Sequence, residues 1–358
     1  MPSVAAKRRG IALPLVLWAL VIGSALLTVA LFLILPEQRA GQAGRRLVHT
    51  FTRAEAGLAE ALGGWTPGTL NRALPGVRDS LGTVASDLVI RRLNQGLFLV
   101  AVAVRDGATE ARLGRLVRVR PVHLAVTAAL TAGGQVQLDD AASISGEDRP
   151  PVGSEDCPPA DSGVAGVAAP SVLATSSSVI TGSPPSIGRP PADSGLAPED
   201  LLVFHDLASQ ATLILTAGTW ETGPATVGTV CNPSVPENWG DPYYPSGPCG
   251  AYRPIVYIAG DLDLLPGRGQ GILLVEGHLR LHGPYDFAGL IMVRGGLDIA
   301  SGDSAIRLNG AVFAGSVGSQ TTPPAVLSIT YSKCLLSKAL LSSGQLIPLR
   351  TRSWKALF

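Results

Sequence analysis

Aromatic residues are scarce in this chain, at 5% of 358 positions. Charge is scarce too, at 15%, and 28 basic against 27 acidic residues leave a net charge of +1. That balance gives no electrostatic reason to expect nucleic acid as a partner. The five histidines are scattered, and the four cysteines form no CxxC pair, which excludes a zinc site of standard spacing. No Ser-His-Asp order, phosphate loop or metal motif occurs, so neither a cofactor nor a metal is expected. What the chain does have is glycine (42), proline (28) and 46% apolar residues. It reads as globular with many turns, long enough for two or more modules.

Residues 11–35, IALPLVLWALVIGSALLTVALFLIL, carry no charge. A membrane-spanning helix needs about 20 such residues, and an ordinary secretory signal has a shorter apolar core. Lys7, Arg8 and Arg9 precede the run. They predict a cytoplasmic N-terminus and a translocated remainder, hence a single pass through a bacterial inner membrane with the bulk periplasmic. Leu47, Phe51, Ala54, Leu58 and Leu62 then recur at helical steps, and Gly63-Gly64 ends the pattern.

Arg8-Arg9-Gly10 before a long apolar helix resembles a prepilin leader. The stretch RRGIALPLVLWALVI is similar to K-type pseudopilins of type II secretion and to PilX-type minor pilins. RAEAGLAEAL (53–62) resembles an element that follows the helix in PilX-type proteins. The resemblance covers residues 7–65. It implies cleavage by a prepilin peptidase between Gly10 and Ile11, methylation of the new Ile11 amine, and packing of the helix among other pilins or pseudopilins. Major pilins carry a glutamate at the fifth residue after the cut, and here that residue is Leu15. K-type tip subunits also lack it, so the resemblance implies a tip or priming role in a type IV pilus or type II secretion filament.

Residues 97–105 (LFLVAVAVR) and 112–120 (RLGRLVRVR) flank Asp106-Gly107 and predict an antiparallel hairpin. QVQLDDAASISG (135–146) suggests one more short strand pair. From 150 to 198 the prolines argue against a central strand, and the segment reads as an irregular excursion. Pro198-Glu199-Asp200 reads as a helix start and ATLILTAG as a strand.

Glycine-aligned repeats follow. Gly260, Gly277 and Gly295 begin corresponding positions of three copies, VYIAGDLDLLPGRGQG, LLVEGHLRLHGPYDFAG and IMVRGGLDIASGDSAIRLNG. Such a period with one strand per copy predicts a short β-helix. The apolar columns would be Ile258/Val275/Val293, Leu262/Leu279/Leu297 and Leu264/Leu281/Ile299. The outward columns would be Asp261/His278/Gly296 and Asp263/Arg280/Asp298, beside Glu276/Arg294, which sets acid against base. Some β-helices are polysaccharide-active enzymes with clustered carboxylates. Here the acids alternate with bases, Asp261 with His278 is the only pair that could be named as a catalytic acid and base, and no catalytic residue is assigned.

Four cysteines allow three pairings. Cys231 and Cys249 flank a compact Pro/Gly/Tyr loop and are the favoured pair, which leaves Cys157 with Cys334.

The sequence therefore predicts an α+β, mainly β chain. Its parts are a leader (1–10), a transmembrane helix (11–35), an amphipathic stalk helix (36–65) and a hairpin and strand region (96–146). An irregular Pro/Ser/Gly-rich segment (147–198), a mixed region with the cysteine loop (199–253), β-helix repeats (254–317) and a C-terminal capping segment (318–358) follow. The expected function is a non-catalytic minor pilin or pseudopilin, with other pilins, the prepilin peptidase and the inner membrane as partners. The alternative is a membrane-anchored envelope protein whose β-helix binds a glycan or scaffold partner.

Overall fold

The computed structural model describes residues 12–65, 79–80, 86–94, 96–107, 109–139, 141–150, 157, 162–193, 195–300, 305–319, 326–349 and 354–356. Helix α1 runs Ala12–Gly63. It is built largely from alanine and leucine, good helix formers, and Gly64 closes its last turn by donating to the Glu60 carbonyl at 2.8 Å. Strands β1 (Asp79–Ser80), β2 (Ser86–Asn94), β3 (Leu97–Asp106) and β4 (Thr109–Arg120) form an antiparallel sheet, with the β3–β4 turn at Gly107. Thr50, Ala54, Leu58 and Ala61 of α1 are buried there, the last three in one core with Val100, Val102, Val104, Leu113 and Val117. Burying each large aliphatic side chain in this core contributes about 1.5–3 kcal/mol. Leu47 of the expected stripe is exposed because it precedes the stretch that the sheet covers, and Phe51 is exposed because the buried face runs through Thr50, Ala54, Leu58 and Ala61 beside it.

The rest of the chain is a three-sided parallel β-helix. Its first strands are β5 (Ala128–Ala132), β6 (Gln135–Leu138), β7 (Ser143–Ser145), β8 (Ala165–Ala169), β9 (Ser171–Ala174), β10 (Val179–Thr181) and β11 (Ser186–Gly188). Helix α2 (Pro198–Ala208) follows, then β12 (Leu213–Leu215), β13 (Gly218–Trp220) and a small ribbon of β14 (Thr226–Val227) and β15 (Val230–Cys231). The stack resumes with β16 (Ile255–Ile258), β17 (Leu262–Leu264), β18 (Gly267–Val275), β19 (Leu279–Leu281), β20 (Tyr285–Ile299), β21 (Ala305–Ser319) and β22 (Val326–Tyr331).

The first face runs β12, β16, β18, β20, β21, β5, β8, β11. The second runs β13, β17, β19, β20, β21, β6, β9. The third runs β18, β20, β21, β22, β7, β10. The chain thus builds coils outward from residue 128 to 188. It then crosses to the far end and builds back until β22 meets β7.

Two columns of glycine turn the corners. Between the first and second faces, Gly277 donates to the Gly260 carbonyl and Gly295 to the Gly277 carbonyl, each at 3.0 Å. Between the third and first faces stand Gly271, Gly289 and Gly310, with φ of 109°, 141° and 136°, conformations open to glycine and strained for other residues. Leu262, Leu279 and Leu297 align across the second face, as do Leu264, Leu281 and Ile299. The first face is buried on both sides. The interior fills one side, and α2 and α3 (Lys333–Leu340) lie on the other, with Phe204 edge-on to Tyr257. The last strands, β23 (Gln345–Pro348) and β24 (Trp354–Ala356), return to pair with β4.

This architecture corrects several expectations. No helix among the described residues is long and apolar enough to cross a membrane. The transmembrane element of the expected fold class and the single-pass inner-membrane location are therefore not supported. Among the described residues strand is the largest class, at 44%. The solenoid is not a short C-terminal-half module, because strands from residue 128 onward belong to it. Residues 165–188, expected to be irregular, carry four of its strands. The prolines fall between these strands, where no ladder hydrogen bond is lost. QVQL and SIS do not pair with each other; they lie on different faces. The described part of the C-terminal segment divides: β22 belongs to the third face, α3 lies along the first face, and β23 and β24 join the head sheet.

Candidate functional site

Gly10 and Ile11 lie outside the described residues. The helix that follows presents its apolar side chains to solvent: Trp18 is 69% exposed and Phe32 78%. A contiguous apolar surface of this size is an association surface on physical grounds. Its lower half is covered by the head sheet and its upper half by no described residue of this chain.

The charge ladder occupies the second face and its corner with the first. Asp263 accepts from Arg280 Nη1 at 3.1 Å and lies 3.2 Å from His282 Nε2. Glu276 pairs with Arg294 and accepts from the Tyr257 hydroxyl at 3.2 Å. Burial, then the Glu276 charge, pushes the Tyr257 hydroxyl upward, so it remains a donor at neutral pH. Asp261 accepts from the His278 backbone N–H at 2.8 Å, while His278 Nδ1 accepts from the Gly296 N–H at 3.1 Å. The sequence-named acid and base are thus each committed to backbone, holding adjacent coils in register. Asp298 follows Arg280 in the same row. Among the described residues no three His, Cys, Asp or Glu side chains gather as a metal site requires.

The cysteine loop is braced. Cys231 and Cys249 are bridged with Cα atoms 4.9 Å apart, and Cys157 and Cys334 with Cα atoms 5.5 Å apart. Buried Asn238 donates to the carbonyls of Ala225 and Asn232 at 3.1 and 2.7 Å. Gln270 donates from its amide to the carbonyls of Cys249, Gly250 and Tyr252. Trp239, fully buried, plugs the solenoid beside Phe287. Desolvation pushes the Tyr252 hydroxyl up to about 12. The Cys231→Ser/Cys249→Ser double variant is expected to lose about 3 kcal/mol of stability, from the chain entropy of an 18-residue separation. Paired thermal melts under non-reducing conditions check this.

Sequence reasoning missed Asn238 and Gln270, single polar residues whose roles depend on a strand neighbouring a loop. It missed His282 as a second donor to Asp263, because His282 lies two residues past Arg280 rather than in its column.

No protein-family model matches the chain, and no curated protein matches it. Among solved structures, the chain is similar to the competence-associated pilin ComZ from Thermus thermophilus, at 12% identity and a TM-score of 0.23, over 87% of this chain and 97% of that one.

Proposed function

We propose that the chain is a non-catalytic minor pilin- or pseudopilin-like subunit, placed at the tip of a filament or in priming its assembly. The observation that carries the reading is the divided helix α1. Its second half is locked to the head sheet by Ala54 and Leu58, and its first half leaves Leu15 to Ala30 uncovered. Such a helix fixes the head and offers an apolar rod to neighbouring subunits. The Arg8-Arg9-Gly10 leader supports it from sequence, and Leu15 in place of a carboxylate supports a position with no subunit above it. The paired charges of the second face support a structural ladder rather than a reacting pair. In this role the solenoid is a rigid body displayed by the head.

Filaments sheared from cells expressing the chain test this reading. The chain is expected in the filament fraction, and Gly10→Lys is expected to remove it, because the peptidase must accept the residue before the cut. Recovery of Gly10→Lys in filaments at the wild-type level would contradict it.

A further inference from the structure

The third face of the solenoid turns a polar strip outward beside the cysteine loop. One row reads Arg268, Asp286, Arg307, Ser328, Ser143 from strand to strand. In the neighbouring row Asn309 and Thr330 are half-buried and Thr181 ends the row, while Ser145 between them is buried and accepts from the Glu147 N–H. At a strand spacing of about 4.8 Å, the first row is about 19 Å long. Its inward partners, Phe287, Leu308, Ile329 and Ile144, are core residues, so the strip is held flat and rigid from beneath.

Tyr243 stands at one end, and Tyr244 follows it in the same loop. Tyr243 and Tyr244 are 50% and 63% exposed. The Arg268 guanidinium lies 5.5 Å from the Tyr243 ring centre, and the Asp286 carboxylate and Arg307 guanidinium both act on the Tyr243 hydroxyl. The Cys231–Cys249 bridge and the Gln270 hydrogen bonds fix the loop that carries them.

We propose that this strip binds an uncharged polysaccharide chain, laid along the solenoid axis with a sugar ring against Tyr244. The charge arrangement selects the occupant. Arg268 pairs with Asp241 at 3.3 Å and Arg307 with Asp286 at 3.5 Å, so the charges cancel locally and no surplus of either sign faces a charged polymer. Arg307, Asp286, Asn309, Ser328, Thr330 and Ser143 offer planar and hydroxyl donors and acceptors in a repeating row, the chemistry that pairs with a chain of hydroxyls. An exposed tyrosine gives an apolar ring face with a polar rim, which suits the mixed surface of a sugar ring. A surface already rigid loses little freedom on binding. The proposal is independent of the filament reading, since it concerns only the solenoid.

Affinity electrophoresis of the full-length chain tests it, through gels containing hydroxyethylcellulose, dextran or galactomannan, with hyaluronan as a polyanionic fourth. Retardation is expected in at least one of the uncharged gels. Tyr244→Ala and Arg307→Ala should each weaken it about tenfold with the melting temperature unchanged, and Arg280→Ala, on the second face, should leave it intact. No retardation in any uncharged gel, retardation by hyaluronan alone, or full retention in both strip variants would each overturn the proposal.

Discussion

Leu279→Asp is expected to destabilise the protein by about 4 kcal/mol or more, the range reserved for an unpaired charge buried in a core. Leu279 is fully buried, in the middle of a column with Leu262 on one side and Leu297 on the other. None of the three offers a base or a hydrogen-bond donor. The carboxylate would either stay charged and unsolvated or take up a proton at a cost in free energy. His278→Asp, one residue away, faces outward. It loses the hydrogen bond from the Gly296 N–H and sets a like charge beside Asp261, together about 1 kcal/mol. Thermal melts of the two full-length variants separate these values. Equal melting temperatures, or a lower one for His278→Asp, would mean that the inward and outward positions have been exchanged.

Gly289→Ala should be the next most damaging change, at about 3 kcal/mol or more. Its φ of +141° strains any residue with a side chain, and an added Cβ would lie 2.0 Å from the Gly271 carbonyl oxygen. That oxygen is backbone of the adjacent coil, so it cannot move aside without shifting a whole strand. Gly188→Ala is the matched control. It lies in the outermost strand β11, has no positive φ, and a Cβ there meets nothing within 4 Å. It should change stability by less than about 0.5 kcal/mol. Chemical denaturation curves for the pair decide the point, and equal midpoints would remove the corner column from the account.

The contrast between these glycines marks what was legible in the sequence. Gly260, Gly277 and Gly295 stand at a repeating position two residues before an inward leucine, so alignment exposes them. Gly289 sits inside a continuous apolar run, FAGLIMV, where no turn residue flags a corner, while Gly271 and Gly310 each follow a polar residue, Gln270 and Asn309, that does not recur in the middle copy. The coils at 128–188 were hidden for a different reason. Their strands, such as AGVAA and SIG, are short and small, and they share no pattern with the later copies. They hold their place by pairing with coils nearly 200 residues away in the chain, as Leu130 does with Val312. The helix Pro198–Ala208 was legible from its start signal, but its seat on the first face was not. That face reads as a run of apolar residues whether a helix covers it or not. The head hairpin followed from two valine-rich runs and a turn, whereas the return of residues 345–348 to β4 rests on a pairing no local signal announces.

The filament reading rests on the N-terminus of the mature chain. Intact-mass and N-terminal peptide analysis of protein from a host that carries a prepilin peptidase tests it most directly. A chain beginning at Ile11, one methyl group heavier than the bare sequence, is the expected result. A chain beginning at Met1 or Pro2 would contradict it.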